Sequence, residues 1–182
     1  METLIKKNSY KLPADCVVVD IETTGFSAYN DSIIEIAALK IKDGEIIGEF
    51  SSLIKPKKRI SSFIQKLTGI TPLMVENAPL IEEVLKKFLD FCSSNPIVGH
   101  NIGFDLRFIN HNLSLYYNKT LNNPSYDTIP YSKKAFSNLS SYKLTSLANH
   151  LNIDSTNAHR ALKDCHITFE LMKKINEAIF NL

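Results

Sequence analysis

Three apolar segments near the start of the chain have the pattern of β-strands. The first, residues 16–22, contains three consecutive valines, and runs of β-branched residues are typical of a buried strand. The second covers residues 32–41 and the third covers residues 45–54. Between them stands Asp43-Gly44, a dipeptide that favours a tight hairpin turn. The first third of the chain is therefore predicted to fold as three successive strands.

Helical spacing of apolar residues replaces this pattern in the remainder of the chain. Apolar positions recur every three or four residues in several segments, which are residues 61–67, 79–91, 104–116, 144–151 and 161–180. A short apolar run at residues 96–99 predicts one more strand among these helices. Three strands followed by helices, with one later strand, predict an α/β fold in which helices flank a mixed central sheet.

The chain shows no linker that would divide it into two domains. Its 182 residues are within the usual range for one domain. Residues 1–14 lack the apolar stretch of a secretory signal and are predicted to form a short, flexible leader. Residues 15–182 are predicted to form a single domain. No segment approaches the roughly 18 consecutive apolar residues of a membrane span, so no membrane partner is expected.

Composition and charge leave the binding partner open. Lysine and arginine total 21, and aspartate and glutamate total 19, which gives a net charge of +2. A charge this small neither requires nor excludes a nucleic-acid partner. The three cysteines, Cys16, Cys92 and Cys165, form no CxxC pair, which favours a reducing compartment. A cytoplasmic location is therefore predicted.

Asp20 and Glu22 are the first candidates for chemistry. They stand two residues apart on a predicted strand, so their side chains point to the same face. Two neighbouring carboxylates repel each other unless a positive charge lies between them. Hard divalent cations such as Mg²⁺ or Mn²⁺ suit these oxygen ligands. The alternative is a solvated strand end with two ordinary surface acids.

Asp105, His159 and Asp164 have an ordinary structural explanation when each is considered alone. Asp105 opens a predicted helix, where an acid complements the helix dipole, and the nearby His100 is assigned a structural hydrogen-bonding role. His159 and Asp164 stand five residues apart, a rotation of about 140° on a helix. If both serve one site, His159 should lie before the helix or in its first turn, and Asn157 could cap that helix. Otherwise both residues are exposed polar residues near a helix start.

Three motifs in order give these residues a shared interpretation. They are Asp-x-Glu-Thr-Thr-Gly at 20–25, Asn-x-x-Phe-Asp at 101–105 and His-x-x-x-x-Asp at 159–164. This set resembles the DEDDh exonucleases, the superfamily of the proofreading exonuclease subunits and domains of bacterial replicative polymerases. The resemblance extends from about Ala14 to the end of the chain. The sister class carries tyrosine where this chain has Arg160, so the histidine class fits better.

The resemblance implies an RNase H-like fold and a mechanism that uses two divalent metal ions, Mg²⁺ or Mn²⁺. Asp20 would contact both ions. Glu22 and Asp164 would hold the ion that binds the attacking water, and Asp105 would help position the other. His159 would act as the general base that takes the proton of the water, a role that suits a neutral histidine near pH 7.

Similarity also suggests residues that contact the substrate. Thr23 and Thr24 would meet the terminal nucleotide, and Phe104 would pack against a base or sugar near the strand end. Ile70 would be the apolar wedge that separates terminal bases. Core packing is the alternative for Phe104 and for Ile70. The basic run at residues 57–59 could contact phosphates, although a solvated loop is the favoured interpretation.

The predicted function is a metal-dependent 3′→5′ exonuclease that hydrolyses DNA from single-stranded or frayed 3′ ends. It would release nucleoside 5′-monophosphates in proofreading or DNA repair, with a DNA polymerase subunit as a candidate partner. Two alternatives stay open: an exoribonuclease that trims RNA, and a non-catalytic module that binds nucleic acid or docks on a polymerase.

One departure from the family pattern is Lys163, where a second acid often precedes the last aspartate; the metal ligand Asp164 is retained.

Overall fold

A five-stranded mixed sheet forms the centre of the fold in the computed structural model, which describes residues 11–180. The strands are β1 (Cys16–Thr23), β2 (Ile33–Lys42), β3 (Glu45–Leu53), β4 (Ile97–Gly99) and β5 (Ser125–Asp127). Their order across the sheet is β3-β2-β1-β4-β5. The pairs β1–β2 and β2–β3 are antiparallel, whereas β1–β4 and β4–β5 are parallel. This arrangement confirms the predicted mixed sheet.

The turn between β2 and β3 follows directly from its two residues. Asp43 has a φ of 52° and Gly44 a φ of 78°. A two-residue hairpin of this kind needs positive φ at both central positions, and Asp-Gly is a preferred pair for it. The predicted hairpin is therefore confirmed.

Helices cover both faces of the sheet. Within the described residues they are α1 (Ser62–Thr68), α2 (Pro72–Val75), α3 (Ile81–Cys92), α4 (Ile102–Tyr117), α5 (Thr128–Ala135), α6 (Leu144–His150) and α7 (Ala161–Phe180). The predicted helices match α1, α3, α4, α6 and α7 within a few residues. Two elements, β5 and α5, carry no clear apolar pattern and were not predicted. The buried positions of α5 are Thr128 and Ser132, so an apolar periodicity could not indicate this helix.

Alternation along β1 divides the core into two layers. Val17, Val19 and Ile21 pack with α3 and α4 on one face, and Cys16 and Val18 pack with α7 on the other. Because side chains two apart on a strand share a face, Asp20 and Glu22 follow Val18 toward α7. The acidic pair therefore lies where the α7 layer meets the end of β1.

The end of the predicted leader is attached to the domain. Leu12 is buried; its N–H donates to Asn176 Oδ1 at 2.9 Å, and its carbonyl accepts from Asn176 Nδ2 at 3.0 Å. Residues 11–14 thus do not form the flexible leader that was expected, and residues 1–10 lie outside the described residues. None of the helices in the described part of the chain is long and apolar enough to cross a bilayer.

Truncation of a core side chain in α3 tests this layering. Phe88 is fully buried between α3 and the sheet. We expect Phe88→Ala to lower the free energy of unfolding by about 3–5 kcal/mol, because a cavity replaces the ring. Phe63→Ala is the matched control: Phe63 is 63% exposed, and its loss should change stability by less than about 0.5 kcal/mol. Urea unfolding measures both, and equal effects would contradict the assigned core.

Candidate active site

Carboxylates from three separate elements meet at the end of β1. Oxygen atoms of Asp20, Glu22 and Asp164 lie within 4.8 Å of one another. Asp20 and Glu22 come from β1, and Asp164 comes from the first turn of α7. Asp105, in the first turn of α4, is buried beside Asp20 and raises its pKa. The structure thus brings together all four carboxylates that the sequence selected.

The short length of β4 makes room for Asp105. β4 pairs with β1 only at Val17 and Val18, so the next part of the β1 edge is open. The backbone N–H of Ile21 on that edge donates to Asp105 Oδ1 at 3.0 Å. Asp105 also stands in the first turn of α4, so its expected role as an acid that complements the helix dipole holds as well. The same position serves the helix start and the acidic cluster.

Burial and mutual repulsion raise the pKa values of these acids. Burial is the main cause for all four, and neighbouring carboxylates add to it for Asp20 and Glu22. The pKa of Glu22 rises to about 8, that of Asp105 to about 8 and that of Asp164 to about 6. The pKa of Asp20 is raised well above its usual value, by burial and then by Asp105 and Asp164. Without a cation the protein does not stabilise four negative charges here.

The donor set fits a hard divalent cation. Carboxylate oxygens are the ligands that Mg²⁺ and Mn²⁺ prefer. Asp20, Glu22 and Asp164 offer three such oxygens in one small volume. A cation would also relieve the repulsion that raises their pKa values. The residues present therefore suit divalent metal binding.

His159 lies before the regular helix, as its spacing from Asp164 predicted. α7 begins at Ala161, and the His159 side chain is exposed. The N–H of His159 donates to both oxygens of Asp164, at 3.3 and 3.2 Å. Its φ of 69° is in the left-handed region, which non-glycine residues rarely adopt. The backbone is thus tied to the acidic cluster while the imidazole faces solvent.

A buried ion pair that the sequence reasoning missed holds this segment. Glu35 on β2 is 2% exposed and accepts two hydrogen bonds from Arg160, at Nε (3.1 Å) and Nη2 (2.7 Å). Its Oε2 also accepts the N–H of Ala161 at 3.0 Å. Glu35, and not Asn157, therefore satisfies the N–H at the start of α7. A glutamate inside the apolar run Ile33–Ala37 was the available signal, because a buried charge needs a partner.

His100 has the structural role expected of it. Its Nδ1 lies 2.8 Å from Thr128 Oγ1 and its Nε2 lies 2.9 Å from the carbonyl oxygen of Tyr142. A carbonyl only accepts, so Nε2 carries the proton and Nδ1 accepts from the hydroxyl. Burial lowers the pKa of His100, which keeps the ring neutral. The ring joins the end of β4 to the start of α5 and to the segment before α6.

The predicted substrate residues Thr23 and Thr24 shape the turn beside the carboxylates. Thr23 Oγ1 donates to the carbonyl of Gly25 at 2.6 Å, and Thr24 Oγ1 accepts from the N–H of Ser32 at 2.9 Å. A Cβ on Gly25 would lie 2.4 Å from the Asp31 carboxylate, so a larger residue would force Asp31 to move. Both threonines are almost fully buried, and a role in substrate contact stays a prediction.

Phe104 and Ile70 have different surroundings. Phe104 is partly buried, packs on Phe108 at a centroid distance of 5.0 Å and touches Phe26 at 6.5 Å. Phe26 is 82% exposed and is a further aromatic next to the site that the sequence reasoning missed. Ile70 is fully buried in a cluster with Ile34 and Ile60. The wedge expectation for Ile70 is therefore wrong in this structure, because the side chain belongs to the core.

A comparison with known protein families shows the family to which the chain belongs. The RNase T family model, described as exonuclease, matches residues 17–172. The chain belongs to this exonuclease family. The membership confirms the family resemblance drawn from the three motifs and the assignment to the nucleases.

Curated relatives of this exonuclease-family chain belong to bacterial DNA polymerase III. A PolC-type DNA polymerase III of Clostridium perfringens is 48% identical over 157 residues, which cover 86% of this chain and 11% of that protein. The DNA polymerase III subunit epsilon of Aquifex aeolicus is 38% identical over 176 residues, which cover 97% of this chain and 87% of that protein. The chain thus spans only about a ninth of the PolC-type relative.

Solved exonucleases share the fold of this exonuclease-family chain. Exonuclease X, in complex with 5′-overhanging duplex DNA, aligns with a TM-score of 0.73 and 26% identity over 89% of this chain and 92% of that one. E. coli exonuclease I, in a zinc-bound complex with single-stranded DNA, aligns with a TM-score of 0.80 over 93% of this chain and 42% of that one. At 19% identity this second likeness concerns the fold alone. The predicted RNase H-like fold is confirmed.

Stability of the metal-free protein should depend on pH through the acidic cluster. The folded pKa values of Glu22 and Asp105, both about 8, exceed the values near 4 of an unfolded chain. Between these limits the folded protein binds more protons than the unfolded one, so stability falls as pH rises from about 4 toward 8. We expect thermal unfolding in EDTA to show this decline.

Divalent metal and a neutral variant provide the controls for this measurement. Mn²⁺ should raise the unfolding temperature more at pH 8 than at pH 5, because it competes with protons for the same oxygens. Glu22→Gln combined with Asp105→Asn should flatten the pH dependence. An unchanged slope in the double variant would assign the decline to other groups.

Removal of the Glu35 charge should impair the site indirectly, because Glu35 holds the segment that positions Asp164 and is not itself a proposed metal ligand. Glu35→Gln keeps the size of the side chain and one acceptor oxygen but removes the charge that orients Arg160. We expect turnover or metal affinity to fall by about 10–100-fold, a loss typical of residues that support a metal site from outside the ligand set. Metal titrations of nuclease activity measure this. Glu45→Gln, an exposed glutamate on β3, is the control, and equal behaviour of the two variants would refute the role.

Proposed function

We propose that the protein is a metal-dependent exonuclease that removes nucleotides one at a time from the 3′ ends of DNA. The observation that carries this proposal is the meeting of Asp20, Glu22 and Asp164, with Asp105 buried beside them and His159 at the rim. No single member of this set is diagnostic. The set gains its meaning from the shared location and from membership of the exonuclease family.

Charge balance supports two divalent ions at this site. The four carboxylates carry four negative charges when ionised, and two divalent cations supply four positive charges. Glu35 does not add to this balance, because Arg160 neutralises it. Asp20, Glu22 and Asp164 would hold one ion, and Asp105 together with Asp20 would hold the other. Bound Mg²⁺ or Mn²⁺ would supply Lewis-acid stabilisation of the attacking and leaving oxygens.

His159 is the candidate general base because of its position. The imidazole is exposed at the rim, and its own backbone is bonded to Asp164. A water molecule at the acidic cluster would therefore lie near a group that accepts its proton. Attack on the terminal phosphodiester breaks the bond to the 3′ oxygen of the preceding nucleotide, which takes up a proton. The product keeps its phosphate as a nucleoside 5′-monophosphate.

The side chains around the acids suit the end of a single strand. Thr23 and Thr24 form the turn next to the carboxylates, and Phe104 with the exposed Phe26 presents aromatic surface for a base or sugar. Stacking of this kind tolerates any sequence, as an exonuclease requires. The same geometry would serve single-stranded or frayed ends.

The relatives support DNA as the substrate. They are a PolC-type DNA polymerase III and a DNA polymerase III subunit epsilon, which favours a role in proofreading or repair with a polymerase as partner. RNA is the second candidate, since the matching family model carries the name RNase T and no described contact at the site distinguishes the 2′-OH. A non-catalytic module is disfavoured, because all four carboxylates are present.

Replacement of Asp20 tests the proposed chemistry. Asp20→Asn should lower kcat by about three orders of magnitude, which corresponds to several kcal/mol of lost metal-assisted stabilisation. The variant should be at least as stable as the parent without metal, because one of the repelling charges is removed. Digestion of 5′-labelled single-stranded DNA with Mg²⁺ or Mn²⁺ measures the activity, and thermal unfolding checks the fold.

Matched controls distinguish a different substrate preference from a loss of catalysis. Asp90→Asn, at an exposed position of α3, should retain full activity. RNA of the same sequence should be cleaved more slowly than DNA, with products sized as nucleoside 5′-monophosphates. Equal DNA digestion by Asp20→Asn and the parent protein would overturn the proposal, and faster RNA digestion would reassign the substrate.

A further inference from the structure

A groove outside the acidic cluster lies between the loop of residues 25–32 and the second half of α4. It has a volume of about 450 Å³. Its lining includes Tyr29, Lys57, Lys58, His111 and Tyr116. None of these residues belongs to the proposed metal site, and the sequence interpretation placed the lysines in a solvated loop. The structure confirms an exposed loop for both lysines and places Lys57 beside the Tyr116 ring and Lys58 beside Asp31.

The loop and α4 run side by side from the acidic cluster to this groove. Two aromatic contacts join them: Phe26 meets Phe104 at 6.5 Å, and Tyr29 meets His111 at 4.8 Å between ring centroids. Phe104 adjoins the metal ligand Asp105. His111 is seven residues further along, so it lies on the same face of α4 and about 10 Å away along the helix axis. A stacked strand rises about 3.4 Å per nucleotide, so this distance corresponds to about three nucleotides.

The chemistry of the groove suits a nucleic-acid strand. Tyr29 is 83% exposed, so much of its ring is available for stacking, and its T-shaped contact with His111 supports it. Lys57 Nζ lies 5.1 Å from the centre of the Tyr116 ring, and Lys58 Nζ forms an ion pair with Asp31 at 2.5 Å. Asp31 and Glu82 also line the groove, so Lys57 is the lysine that is available to a phosphate without breaking this ion pair. Exposed aromatic rings beside cationic side chains are the features by which proteins bind single strands without sequence preference.

We propose that this groove binds the single-stranded segment that lies upstream of the 3′-terminal nucleotide. A base stacks on Tyr29, and backbone phosphates contact Lys57 and Lys58. The inference rests on the proposed function, because the strand reaches the groove only when its 3′ end occupies the acidic cluster. An apolar protein segment is the other candidate occupant, and it would not use the exposed charge of Lys57, which can contact a phosphate.

The test compares substrates of different length. Tyr29→Ala and the pair Lys57→Gln/Lys58→Gln should each raise KM for an oligo-dT of about eight nucleotides by about tenfold, the usual effect of losing one stacked base or a few phosphate contacts. Neither change should affect KM for a dinucleotide, which is too short to enter the groove. The lysine pair should also lessen the salt dependence of KM, by a slope of about 0.7 for each lost phosphate contact.

Binding without turnover gives a second readout. The anisotropy of labelled oligo-dT measures binding to the Asp20→Asn protein in the presence of Ca²⁺. Addition of Tyr29→Ala or of the pair Lys57→Gln/Lys58→Gln should weaken this binding, whereas Lys86→Gln/Lys87→Gln should leave it unchanged. The two control lysines are exposed on α3. Thermal unfolding establishes that each variant is folded.

The outcomes separate this inference from the proposed function. If the parent protein cleaves neither oligo-dT nor the dinucleotide, the proposed function fails. If the parent is active and the groove variants bind and cleave the longer oligonucleotide as the parent does, the groove assignment is wrong. An equal loss on the dinucleotide and the longer strand would also overturn it, because the effect would then lie at the acidic cluster.

Discussion

Repulsion among carboxylates that have been removed from bulk water is the constraint on which the rest of this site depends. Asp20, Glu22, Asp105 and Asp164 converge from three elements, and burial raises the pKa of each. The local arrangement requires protons or cations for stability. The arrangement therefore suits a bound cation on physical grounds, independent of any relative. Membership of the exonuclease family supports the proposal that this site carries out exonuclease chemistry.

Two features of the fold keep the acids in place despite their repulsion. β4 is short, so an unpaired N–H of Ile21 is available to hold Asp105. On the other side, Glu35 binds Arg160 and the first N–H of α7, and so fixes the helix that carries Asp164. This buried ion pair brings a positive charge toward the cluster without contributing a ligand. The positive φ of His159 persists because its neighbours on both sides are bonded.

The surface around the acids carries side chains that are suited to contact the substrate. Phe26 and Tyr29 are exposed aromatic residues on one loop; Phe26 contacts Phe104, which adjoins Asp105, and Tyr29 contacts His111, about two turns further along α4. Thr23 and Thr24 form the turn at the end of β1 that leads into this loop. A single segment thus connects the proposed metal ligands of β1 to the groove with Lys57 and Lys58. Ile70, by contrast, is buried and supports the core beneath this region.

The sequence by itself determined four of the five strands, most helices, the hairpin at Asp43-Gly44 and the candidate acids, because these features depend on local pattern, turn chemistry or an ordered motif. It also indicated that His159, if it serves one site with Asp164, lies before its helix or in the first turn, since residues at that spacing do not share a helix face. Only the tertiary structure decided the rest. β5 and α5 lack an apolar period, the partner of Glu35 stands 125 residues away, and Ile70 is placed by contacts between elements. Such contacts join residues distant along the chain, so no local pattern contains them.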